Sequence, residues 1–100
     1  MAWKSLNSFS NSMKGSLVRF RSSHLAPNIS NQLNSNSTHP QKLNIPVGAL
    51  GIIYEVRGAT MYIGFGRDLK SSPRIFSHSN YAAAIQFYID DINKLEIEFK

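Results

Sequence analysis

A chain of 100 residues with 42% hydrophobic and 17% charged side chains has room for one small domain. It has no cysteine, which excludes disulfide frameworks, thiolate zinc sites and a thiol nucleophile. No apolar run approaches the roughly 20 residues that a membrane-spanning helix needs. Eleven basic against six acidic residues leave a net charge of +5, and the excess is uneven. Residues 1–54 hold five cations (Lys4, Lys14, Arg19, Arg21, Lys42) and no acid, whereas residues 55–100 hold six of each. Such asymmetry points to a basic arm for nucleic acid, an anionic membrane surface or an import signal.

Trp3, Leu6, Phe9, Met13, Leu17 and Phe20 recur at steps of three and four, which on a helix gathers them into one stripe. Lys4, Lys14, Arg19 and Arg21 fall on the remaining arc. A basic, serine-rich, acid-free amphipathic start has the pattern of a transit peptide, most simply a mitochondrial one; without that role the chain is expected in the cytoplasm. The plainer reading is a helix that docks its stripe on the domain's own core. Ten serines and six asparagines crowd the first 40 residues, so Ser22 to Lys42 is expected to be disordered or a loose linker. Residues 1–42 thus read as a tail and 43–100 as the domain. His24 and His39 lie in that tail without a ligand-spaced partner, and no metal-binding residues are assigned.

Within the domain, Leu43 to Leu50 is an entry segment. Gly51–Arg57 is rich in β-branched and aromatic residues and reads as a strand; Gly58-Ala59-Thr60 turns it, and Met61–Phe65 returns. Ser72-Pro73 opens a short helix through His78. A second helix, capped by Asn80, puts Tyr81, Ile85, Tyr88 and Ile92 on one face. Leu95–Phe99 alternates apolar and acidic residues as a half-buried strand does. The expected fold is therefore α+β: a three-stranded sheet with two helices behind a disordered or helical N-terminal tail. Some 55 residues make a marginal core, which a protein partner or the N-terminal stripe could complete.

Gly51-Ile-Ile-Tyr54, a hairpin, then Tyr62-Ile-Gly64 resembles the signature pair of the GIY-YIG nucleases. Asp68-Leu69 follows at about the family spacing, and Arg74-Ile-Phe-Ser-His78 is similar to the family's Arg-Leu-x-x-His helix. The resemblance covers about residues 45–100 and lies nearest the structure-specific junction nucleases. It implies magnesium-dependent hydrolysis of a DNA phosphodiester. Tyr54 or Tyr62 would act on the attacking water, Arg74 would hold the phosphate, and His78 would assist proton transfer. Arg67, Lys70 and Arg74 would contact nucleic acid, and Gly64 would admit a close approach. The first motif has one residue too many, so either Tyr54 is displaced by one or Ile53 stands in its place. The helix that carries the family's metal-binding glutamate would follow residue 100, while Glu96 and Glu98 sit on the preceding strand.

Other readings stand beside this one. Tyr54 and Tyr62 could be cross-strand packing partners, Arg74 a solvated cation, and His78 a helix-end residue. Gly64-Phe-Gly-Arg-Asp68 also resembles the arm-binding domains of tyrosine recombinases, which implies a non-catalytic DNA-binding module. A third possibility is an accessory subunit of an organellar complex.

Overall fold

The computed structural model describes residues 3–27, 42–70 and 81–98, and within them the chain is built almost wholly of strands. They are β1 (Lys4–Ser5), β2 (Leu17–Phe20), β3 (His24–Pro27), β4 (Lys42–Ile45), β5 (Leu50–Arg57), β6 (Thr60–Phe65), β7 (Ala83–Tyr88) and β8 (Leu95–Glu98). Short 3-10 turns at Asn11–Met13 and Ile89–Lys94 supply the helical content. Six strands form one antiparallel sheet in the order β1-β8-β2-β5-β6-β7, and β3 pairs with β4 in a separate ribbon. The α+β expectation with a three-stranded sheet is overturned. Among the described residues no helix is long and apolar enough to cross a membrane.

Three of the expected strands are present. The β5–β6 hairpin turns at Gly58, whose φ of 58° suits a residue without a Cβ, and β8 buries Leu95 and Ile97 while Glu96 and Glu98 face away. The helix expected over Tyr81–Ile92 is instead β7 followed by a 3-10 turn. β7 pairs with β6 along its whole length and turns Ala83, Ile85 and Phe87 into the core, a period of two that the tertiary context imposes over the helical spacing. The short helix expected from Ser72 to His78, with the Asn80 cap, lies outside the described residues.

The N-terminal segment is the larger correction. Residues read as a helical or disordered tail form β1, β2 and β3, and β2 lies in the middle of the sheet. Leu17 to Phe20 face Glu98 to Leu95 on one side, and Leu17 to Arg19 face Ile52 to Leu50 on the other. Leu6, Met13, Val18 and Phe20 enter the same core as Ile53, Met61, Ile63, Phe65, Ile85, Phe87 and Ile97. Lys42 to Ile45, expected as linker and entry segment, pairs with β3. Residues 28–41 lie outside the described residues.

The sheet is strongly curled. β2 and β7 are three strand spacings apart, about 14 Å on a flat sheet, yet the ring of Phe20 lies 5.7 Å from that of Phe87 and 6.0 Å from that of Phe65. His24 joins this cluster from β3, with its ring 6.0 Å from Phe20 and 5.1 Å from Phe87. Its Nδ1 lies 3.4 Å from the Lys94 ammonium, which can only donate, so the imidazole accepts there in its neutral form. Burial, and next the Lys94 charge, hold His24 below the ordinary 6.5, with Asp91 opposing.

Two outcomes follow from this architecture. Below about pH 6.5 the unfolded chain takes up a proton at His24 that the folded chain resists, so stability is full above that pH and falls as the pH drops through it. Melting curves from pH 7.5 to 5.5 should show a declining Tm, and His24→Phe should flatten the decline relative to the parent. Deleting residues 1–23 removes β2 from the centre of the sheet, and the remainder should lose its cooperative thermal transition by circular dichroism.

Candidate functional site

Alternation along the strands fixes which side chains the curled sheet turns outward. On β6, Met61, Ile63 and Phe65 fill the core, so Thr60, Tyr62 and Gly64 face away; on β7 the outward set is Ala84, Gln86 and Tyr88. On β5 the register steps between Ile53 and Glu55, a β-bulge at Tyr54. It leaves Tyr54 on the same face as Tyr62, their ring centroids 6.0 Å apart, and Tyr54 also stacks on Tyr81 at 5.4 Å. Of the four expected catalytic residues the structure thus brings two together. Arg74 and His78 lie outside the described residues.

The environment of these tyrosines decides their chemistry. Burial, with Tyr62, Tyr81 and Glu55 adding to it, pushes the Tyr54 phenol up to about 12. At neutral pH it stays protonated. The close approach expected at Gly64 is made by the chain itself, because Tyr81 is buried against it. A Cβ at Gly64 would stand 2.5 Å from the Tyr81 ring. The acidic group beside the tyrosines is Glu55, whose carboxylate already pairs with Lys14 at 3.5 Å and with Arg57 at 3.3 Å. Among the described residues no three acidic or histidine side chains gather as metal ligands.

Arg67 and Lys70, expected to contact nucleic acid, are exposed on the loop that follows β6. That loop is fastened at its far end, where the Leu50 amide donates to the Leu69 carbonyl at 2.7 Å and the Lys70 amide donates to Asp68 at 3.0 Å. The two cations make no ion pair among the described residues. Arg19 and Arg21 differ: both pair with Glu96, Arg21 at 3.4 Å, and the Arg19 guanidinium also lies 4.5 Å from the Trp3 ring.

The sequence reading did not identify a second cluster on the outward face, at the hairpin end of the sheet. Gln86 donates to the Tyr62 hydroxyl at 3.2 Å and accepts from the Tyr88 hydroxyl at 2.9 Å. Arg57 extends over the Tyr62 ring at 5.8 Å. The signal was present in Gln86 and Tyr88 two residues apart, but a helical period separates what a strand places side by side.

Gly64→Ala should force Tyr81 off the sheet and cost about 1–3 kcal/mol, as overpacking does; chemical denaturation measures it, and an alkaline absorbance titration should show the Tyr54 phenol ionising at lower pH in the variant. Compared with protein families, curated proteins and solved structures, the chain matches none.

Proposed function

We propose that the protein is a non-catalytic nucleic-acid-binding module that takes DNA. The observation that carries this reading is the partition of charge. Glu55, Asp91 and Glu96 are each held by one or more cations, whereas Lys4, Lys42, Arg67 and Lys70 make no ion pair among the described residues. The chain carries a net charge of +5, and cations without an internal partner can neutralise phosphates, which releases counterions and drives association. Arg67 and Lys70 stand together on a loop tied to the rigid sheet, which suits a backbone contact that positions a strand without reading it. The raised Tyr54 phenol and the saturated Glu55 favour binding over hydrolysis.

Fluorescence anisotropy with a labelled oligonucleotide across a salt series tests this. Affinity should fall steeply with salt, and the double variant Arg67→Ala/Lys70→Ala should weaken binding and reduce the log–log slope by about 2. Absence of binding at low salt overturns the proposal. The nuclease reading has one support, the approach of Tyr54 to Tyr62. Magnesium-dependent nicking of the same oligonucleotide, lost in Tyr62→Phe with folding intact, would favour it instead.

A further inference from the structure

We infer that the outward face of β5, β6 and β7 at the hairpin end is a stacking platform for the bases of a single-stranded nucleic acid, with Tyr88 as its exposed ring and Tyr62, beneath Arg57, beside it. This deepens the binding reading above and rests on it. Sheet register sets the positions. Arg57 faces Thr60 and Thr60 faces Tyr88, while one step along the sheet Tyr62 faces Gln86. Two tyrosines on neighbouring strands thus lie diagonally, with one glutamine between their hydroxyls.

That glutamine makes the platform rigid. Its amide nitrogen donates to the Tyr62 hydroxyl and its carbonyl accepts from the Tyr88 hydroxyl, so both phenols are anchored at their polar ends. Tyr88 is nonetheless 51% exposed, among the most exposed large apolar side chains of the described residues. A half-exposed ring held at its hydroxyl loses little freedom when a flat partner lands on it. Stacking of this kind accepts any base, because every base has a π-face.

Charge selects a nucleic acid over other flat or apolar partners. The Arg57 side chain is 72% exposed, and with Lys14 it flanks the single carboxylate of Glu55, leaving one positive charge in excess beside the rings. A phosphate that follows a stacked base meets a guanidinium there. Duplex DNA keeps its bases stacked on one another and offers no ring faces along its length, so the platform distinguishes strands from duplexes, as general phosphate contacts do not.

The test compares a fluorescent deoxythymidine oligonucleotide, its duplex with deoxyadenosine, and an abasic strand of the same length, using the full chain. The single strand should bind about tenfold more tightly than either of the others. Tyr88→Ala should lose about tenfold for the single strand with its salt slope unchanged, because no cation is removed, and Tyr88→Trp should retain or improve affinity. Arg57→Ala should reduce the salt slope by about 1. Equal affinity for all three nucleic acids, with Tyr88→Ala neutral, overturns the platform and leaves nucleic-acid binding standing. Failure of every oligonucleotide to bind at low salt removes both. Comparable binding of an uncharged oligosaccharide, lost in Tyr88→Ala, overturns the platform as a nucleic-acid site and assigns the rings to sugar.

Discussion

The contact of Phe20 with Phe65 and Phe87 holds the architecture together. Phe20 belongs to a strand in the middle of the sheet, and its two partners come from the far side of that sheet. Rings so placed meet only if the sheet rolls toward itself, and the roll creates an enclosed core for a chain of this size. A flat six-stranded sheet of 100 residues would bury one face against nothing. Curling lets the inward residues of β2, β5, β6, β7 and β8 pack on each other, with the β3–β4 ribbon contributing Ala26 and Ile45. Aromatic pairs of this geometry add roughly 0.5–1.5 kcal/mol each beyond their buried area. The larger gain is the apolar surface that closure removes from water.

Closure also explains why the outward face is uneven. The side chains there belong to no core, yet Ile52 and Tyr81 are buried. Both lie on the stretch where the sheet has a small residue facing outward, Gly64, and Tyr81 folds over it. An aromatic ring laid on a strand glycine restores the packing that a missing side chain would forfeit. The bulge at Tyr54 belongs to the same arrangement, since it is what allows Tyr54 to reach Tyr81 as well as Tyr62. Further along, at the hairpin turn, no such cover reaches Tyr88 among the described residues, and the face changes from internal packing to exposed ring.

The β5–β6 hairpin and β8 were legible in the sequence because local pattern and tertiary need agree there: alternation, β-branched residues and a glycine turn all favour strands. The N-terminal third was not legible, for a physical reason. Leu6, Phe9, Met13 and Phe20 do face the core, as an apolar stripe should, but they reach it through a two-residue strand, a 3-10 turn and a second strand. Each irregular joint resets the phase, so a spacing of three and four arises without any helix. Composition pointed the other way, because serine, asparagine and glycine between those positions are weak helix formers. β7 failed similarly. Three alanines and apolar residues at helical steps outweighed Ile85, Phe87 and the bond each makes to β6. Phe87 is buried, and Tyr88, assigned to the helix core, is the exposed one. Of the expected site, Tyr54 and Tyr62 share a face because the bulge corrects a parity that letters alone left ambiguous.

The ion pairs connect this fold to its surface charge. Glu96 on β8 draws Arg19 of β2 and Arg21 just after it, and Glu55 on β5 draws Lys14 and Arg57. Partly exposed pairs of this kind contribute on the order of 1 kcal/mol apiece, so their weight in stability is small. Their effect on the field is larger. Glu55 and Glu96 are each matched by two cations, and three of those four, Lys14, Arg19 and Arg21, come from the acid-free N-terminal segment. Placing that segment in the middle of the sheet distributes its cations around an otherwise neutral half. The segment whose charge looked like a basic arm therefore contributes its cations on and beside a curled sheet, with strand alternation sorting phenylalanines inward and leaving Tyr62 beside Arg57 on the outward face.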